Sequence, residues 1–574
     1  MRIRSTAKAA FLCVFSVCAG GEAFAQSQAP SRVTPETFAP PPVQANGQIS
    51  IPAVEPGQVP AGAEQLSVTV AGVTVEGGSP RFTAEINSAT AKIKGVKVTV
   101  KELYGVAAEI EAAYARAGYV LTRVTVPPQQ LVDGGPFKII VLDGFIESVD
   151  VSSVPARQRE AVRARVASLI GRHGLTMDQI ERRLLIAGDV PGLRLRSALI
   201  KGTEVGGARL VLEGDWKPVS ASIGVDNLVG PIYNNVEFPV QASLNSVLGL
   251  GELIYGSAIT GPDGHVFAGQ PVRRIFGVGA VIPIGVDGWT INPEYTNSNT
   301  DPREAAGGVQ TTGVFERFAL RTAYPIVRSR SETLSLAGSF EALNETQQAP
   351  AFGTTLNKDR LRIFTLGLNG SKALFWNDSL SGGMLVTQGV NGLGARDQAD
   401  ATASGIPLSR QGSRPDYSKF EGYGRFDQSL PTGFSATLFL RGQESFTGAM
   451  PSAAQFSLDG LEGLSTFPMG TLNVDSGVTA RVEFAHLFPF NPAPIASLFS
   501  PYVFAAVASG SLADPTAVEK AHVDANAFGG GLRLNLAQQS SGVTSIIAIE
   551  VGHDYANIVK GDDTRVTVNW TLRY

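Results

Sequence analysis

The side chains that could do acid–base or metal chemistry are few and scattered. Five histidines, His173, His265, His486, His522 and His553, fall in five separate stretches with no H-E-x-x-H among them. Both cysteines, Cys13 and Cys18, sit at the extreme N-terminus, so the rest of the chain offers no thiolate to a zinc site. Gly249-Leu250-Gly251 is a fragment of a phosphate-cradling glycine motif and reads as a turn. Glu483 and Glu550 could be imagined as an acid/base pair. Each lies in an alternating, strand-like stretch, so solvation by a wet interior is the expectation for both. With no nucleophile elbow and no phosphate loop, the reading is a protein that is not an enzyme, with no cofactor, no metal and no catalytic residue.

The elements around these residues say more. Of 574 residues only 17% are charged, 64 are glycine, and the formal charge is −4, without the basic excess that nucleic acid would need. Mean hydropathy is +0.08, yet beyond residue 25 no apolar run reaches the ~18 residues of a spanning helix. Slight hydrophobicity without a spanning helix leaves an unusually apolar soluble β protein or a membrane β-barrel, in which apolar residues are diluted by alternation. Arg2, Arg4 and Lys8, the apolar run Ala9 to Val17, and Ala23-Phe24-Ala25 have the form of a cleaved export signal over residues 1–25. The exported chain would then be thiol-free in an oxidising compartment.

Residues 26–64, with Ala39-Pro40-Pro41-Pro42, cannot bury enough apolar surface to order themselves and read as a Pro-rich extended linker. Residues 66–144 form a small α+β unit. A strand runs from Leu66 to Val75, and a capping box, Thr99 with Glu102, opens a helix carrying Leu103, Val106, Ile110 and Tyr114. Gly118 stops that helix, and strands Tyr119 to Val126 and Phe137 to Leu142 follow. Residues 145–215 repeat the plan: a strand from Phe145, a helix from Arg157 to Ile170, a second helix capped by Thr176 and Gln179, and two strands.

Residues 216–574 alternate apolar and polar in segments of eight to eleven, separated by Gly, Asn, Asp and Pro turns. The clearest is the last, with Val566, Val568, Trp570, Leu572 and Tyr574 on one face and Arg565, Thr567, Asn569, Thr571 and Arg573 on the other. A soluble sheet also alternates, but here the polar face repeatedly carries Arg and Glu. Such charges fit a wet lumen and would cost ~2–4 kcal/mol each, for Arg or Lys, against lipid. Lipid forbids open sheet edges, so the sheet must close. At roughly 22 residues per strand and connection, about 16 antiparallel strands result. Trp570, Leu572 and the terminal aromatic Tyr574 match the barrel-assembly signal of outer-membrane proteins.

Tyr114-x3-Gly118-Tyr119-Val120-x2-Arg123, then Pro127-Pro128-Gln129, Asp133-Gly134 and Val141-x-Asp143-Gly144, resembles the first POTRA domain of two-partner-secretion transporters, the haemolysin secretion/activation proteins of ShlB/FhaC/HecB type. Gly188 to Gly192 with Leu195 to Leu199 is similar to their second POTRA domain, and Gly224-Val225-Asp226-Asn227 to their first barrel hairpin. The resemblance implies a transmembrane β-barrel preceded by two small α+β POTRA domains. It implies location in the cell outer membrane with the POTRA domains in the periplasm. It also implies ATP-free secretion of a cognate large exoprotein, adhesin- or haemolysin-like. Further partners implied are outer-membrane lipid and the barrel-assembly machinery; nucleic acid is not one. Client contact is expected at the POTRA motif residues quoted. An assembly or insertion factor of the same superfamily is the alternative, and a passive porin a third reading.

Two departures from the family stand out. The loop tip that should carry V-R-G-[YF] reads Gly463-Leu464-Ser465-Thr466-Phe467, with serine at the arginine position. The wall motif that should read F-x-D-x-G is Phe504-Ala505-Ala506-Val507-Ala508, with alanine at the aspartate position. Loss of both partners of a buried pair can be near neutral, whereas loss of one costs ~3–5 kcal/mol. The joint absence puts the loop's usual lock in question, with a leakier pore and a substituted contact both open. The second departure is the N-terminal region, too rich in proline for the plug helix that some members carry.

Overall fold

The computed structural model describes residues 29–35, 38, 48–50, 62–262, 271–303, 309–490, 495–538, 542–559 and 563–574. The proposed signal, residues 1–25, and most of the linker lie outside them. Two small α+β units precede a closed antiparallel barrel.

In the first unit the sheet is β2 (Ser67–Gly77), β3 (Lys97–Thr99), β4 (Arg123–Thr125) and β5 (Gly135–Leu142), in the order β3-β2-β5-β4. Helices α2 (Thr83–Ala91) and α3 (Val100–Arg116) cover it. Leu103, Val106, Ile110 and Tyr114 of α3 pack on Val70, Phe137, Ile139 and Val141 of the sheet. The capping box forms as spaced, Thr99 accepting from the Glu102 N–H and Glu102 from the Thr99 N–H. Helix α2 was not foreseen; TAEINSATA has almost no apolar stripe, and Ala89 is its one buried residue.

The second unit holds β6 (Phe145–Ser153), β7 (Leu193–Lys201) and β8 (Gly207–Trp216), with α4 (Arg159–Val166) and α5 (Met177–Gly188). The joint between the units is hydrogen-bonded: the Met177 N–H, at the start of α5, donates to the Gly118 carbonyl at 2.8 Å. Gly118 turns there at φ +89°, a conformation side-chained residues rarely adopt. Charged contacts then fix the second unit to turns at the near end of the barrel. Arg328 holds Asp189 in a fork at 2.6 and 3.0 Å, Arg183 pairs with Asp287 at 2.5 Å, and Arg330 with Glu181 at 3.2 Å.

The barrel runs from Val219–Asp226 to Asp563–Arg573, and those two strands pair to close it. Ser476–His486 and Phe488–Phe490 both pair with Ile495–Ser511 and act as one interrupted strand, so sixteen strands make the ring. Outward residues such as Leu438, Leu440, Val478, Phe484 and Val566 are exposed, as a lipid-facing surface demands. Gly249 and Gly251 lie in the turn after Phe238–Asn245, as expected of a hairpin.

The N-terminal region departs from the extended-linker expectation. Pro30–Val33 forms one helical turn, α1, inside the lumen. Its Ser31 N–H donates to Glu345 at 3.3 Å, Arg32 to Gln455 at 3.3 Å, and the Val33 carbonyl accepts from Arg273. Further along, Phe38 packs on Leu253, Tyr255 and Ile275. Gly277 and Gly313 make the room: a Cβ on either would collide with Phe38 or Pro30. Proline composition hid this seat, because a single turn needs no helical periodicity and its partners come from distant strands.

Candidate functional site: strand edges and a latched lumen

The motif residues of the first unit mostly build it. Tyr114 is buried against Phe82, and its hydroxyl accepts from the Ser79 N–H at 2.8 Å. Tyr119 packs edge-on to Phe82 and takes a bond from Arg81. Arg123 donates to the Val120 and Thr122 carbonyls and faces Glu111 at 3.5 Å. Beyond the Pro127-Pro128 break, Gln129 does the work of a strand. Its amide accepts from the Lys138 N–H and donates to the Lys138 carbonyl, each at 2.8 Å, where short β4 no longer covers β5. Asp133 accepts from the Thr69 N–H at 2.7 Å, which holds its carboxyl below the ordinary range, and Gly134 follows at φ +77°. Strand β3 is one edge of this sheet and β4 the other.

The corresponding edge of the second unit is taken. Residues Gln48–Ser50 form β1, parallel to β7, with Gln48 opposite Arg196, Ile49 opposite Ser197 and Ser50 opposite Ala198. A segment of the linker has thus been added as a strand to a sheet edge.

The loop between Phe434–Ser445 and Ser476–His486 folds into the lumen. Leu464, Phe467 and Leu472 pack against Tyr502, Phe504, Ala506 and Ala508 of the wall. Asp459 knots its base, accepting from Ser457 at 2.7 Å and from the N–H groups of Gly470, Thr471 and Leu472 at 2.9–3.1 Å.

At the tip other residues make the contact that the sequence left open. The Ser465 hydroxyl donates to Glu550 and accepts from Arg481 at 2.6 Å. Arg481 also binds Glu550 at 2.6 Å, Glu483 at 2.8 Å and the Gly463 carbonyl at 3.4 Å, and it lies 3.9 Å over the Phe504 ring. Arg533 closes the far side of Glu483 at 2.7 and 2.9 Å, and Tyr502 donates to Glu550 at 2.8 Å. Arg481, 1% exposed, stands opposite Ala506 in the ladder, where a one-carbon side chain leaves its guanidinium room. The cation sits on the wall instead of the loop, and serine completes the circuit. Glu483 and Glu550 are accordingly buried and paired, not solvated. The last strand adds Thr567, which donates to the Ser465 carbonyl at 3.2 Å, and Arg565, which donates to the Thr466 carbonyl at 3.4 Å.

Known proteins share this architecture of α+β units before a closed barrel. The ShlB-type POTRA domain matches residues 68–144, and the haemolysin secretion/activation protein family ShlB/FhaC/HecB matches residues 207–513, more than half of the chain. The protein belongs to that family. The heme/hemopexin transporter protein HuxB of Haemophilus influenzae strain 86-028NP is 22% identical over 422 residues, 71% of each chain. CdiB from Escherichia coli superposes with a TM-score of 0.69 at 18% identity, covering 96% of this chain and 94% of that one. CdiB from Acinetobacter baumannii does so at 0.57 and 15%, over 88% and 90%. The protein is therefore an outer-membrane transporter of the two-partner-secretion family, with its POTRA region in the periplasm.

In this family member the terminal residues also close the ring. Tyr574 exchanges two main-chain bonds with Ala221, at 2.8 and 3.0 Å, and Lys217 lies 3.6 Å over its ring. Leu572 stands opposite Ile223, and the Trp570 indole donates to Ser545 at 3.0 Å. Among the described residues no group of three or more His, Asp or Glu is placed to hold a metal ion.

Proposed function

We propose that the protein takes up a large, unfolded exoprotein in the periplasm by strand addition at its POTRA sheet edges and passes it outward through the barrel without ATP. The observation that carries the reading is β1 on the edge of β7: this edge accepts an extended peptide through backbone groups, which is how a client of almost any sequence could be held. Edge β4 offers a second, shorter template. Within this reading the quoted motif residues shape the unit that presents β4, and forward motion comes from the client folding outside the cell, which opposes its return.

Removal of residues 66–215 tests the reading. An inserted, heat-modifiable barrel that no longer exports the partner exoprotein is the expected result. Export at the wild-type level would overturn it.

A further inference from the structure

Strand Thr354–Ala373 is twenty residues long and rises above its neighbour Ser379–Gly389, which pairs with it only from Ile363 downward. Along its outward face run, in order, Lys358, Arg360, Arg362, Phe364, Leu366 and Leu368. The inward residues between them, Asp359, Leu361 and Ile363, are buried in the lumen. Phe364, Leu366 and Leu368 are exposed to lipid, and the periplasmic border is marked by exposed Phe375 and Trp376 in the turn below. Phe364 to Leu374 spans roughly 25 Å once strand tilt is allowed for, the height of a barrel's apolar band. Arg362 is therefore the first outward residue above the hydrocarbon, with Arg360 and Lys358 at successive steps of about 5 Å further out.

Three cations at alternate positions on one strand repel one another unless an anion lies among them. Among the described residues none has a carboxylate at ion-pair distance. Arg362 is anchored through Nε and Nη1, which donate to the carbonyls of Leu343, Leu361 and Leu393 and to Asn344, while none of these bonds uses Nη2. Asp359 turns inward to the Ser409 N–H. Glu316, on the same outer face, is separated from Arg360 by the intervening Asn344 in the ladder.

We propose that Lys358, Arg360 and Arg362 bind the phosphates of a multiply phosphorylated outer-leaflet lipid, whose acyl chains lie along Phe364, Leu366 and Leu368. A lipid is the occupant because the cationic stripe continues without a break into the lipid-facing band, at headgroup depth. The inference rests on the outer-membrane setting and not on exoprotein secretion.

The test uses the full chain in phosphatidylcholine nanodiscs, with diphosphoryl lipid A as the probe and native mass spectrometry as the readout. K358Q/R360Q/R362Q should bind about a hundredfold more weakly, at roughly a factor of five per cation near an anionic surface. R360K/R362K should keep most of the affinity, and all variants should keep heat-modifiable mobility on gels. Binding by the triple glutamine variant within about twofold of wild type, far inside that expectation, would overturn the proposal. So would equal retention of dephosphorylated lipid A, or displacement of the lipid by millimolar inorganic phosphate.

Discussion

Two of the segments that the molecule holds in place are held by opposite means. In the periplasm, residues 48–50 are held on β7 through main-chain pairing that is indifferent to side-chain identity. In the lumen, the loop tip is held by a buried circuit of Arg481, Glu550, Glu483 and Ser465, in which each partner has one geometry. Backbone pairing is sequence-tolerant, so another strand can replace the resident one. A buried ion network resists single substitutions, because a lone survivor is left charged and unpaired. Exchangeable ligands suit the first device and a fixed latch suits the second.

The sharpest way to break the contrast is Arg481→Met. It strips Glu550 and Glu483 of their shared partner and should cost about 3–5 kcal/mol, visible as a lower gel-shift melting temperature and as protease cleavage within residues 446–475. Adding Glu550→Gln should recover part of that loss; a double variant worse than the single one would mean that the pair is not the latch. Next in size, Gly277→Leu with Gly313→Leu should displace Phe38 and Pro30 at about 1–3 kcal/mol of overpacking, read as raised single-channel conductance.

Gln129→Ala should cost roughly 1 kcal/mol in the first unit alone, by baring the Lys138 main chain, with faster amide exchange at Lys138 and unchanged barrel melting. Replacing residues 48–50 by Pro-Gly-Pro should hardly alter stability. It should, however, speed amide exchange at 196–198 and raise the affinity of an added extended peptide for β7. The smallest effect is acid sensitivity. Hydrogen bonds hold the Asp133 and Glu102 carboxyls below their ordinary values. Their support is full above the unfolded pKa and is lost as pH falls through the folded one. The first unit should therefore loosen in acid, followed by circular dichroism, with Asp133→Asn flattening the profile.

Legibility in the sequence followed the range of the interactions. The capping boxes at Thr99 and Thr176 span four residues each and form as spaced. Alternation is equally local, and the last strand presents Val566 to Tyr574 as read. The latch was half visible: Arg481 and Glu483, two apart, share a strand face by necessity. Glu550 was not, since its approach depends on the register of two further strands. Serine at position 465 and alanine at position 506 are legible as residue types. The residues that make the contact come from strand positions that carry no local mark. The seat of α1 escaped for the same reason, its partners Glu345, Gln455 and Arg273 being hundreds of residues away.

Arg565 bridges three parts of the chain: besides the Thr466 carbonyl it reaches those of Asn227 and Val229, at the far end of the first barrel strand. The side chains gripping the tip thus arrive on strands made late in synthesis, whereas the carbonyls of Asn227 and Val229 belong to one made early. A ring still open along its seam lacks two of these three contacts. The docked loop and the closed seam therefore share one side chain, so the guanidinium that grips the tip also braces the joint of the ring.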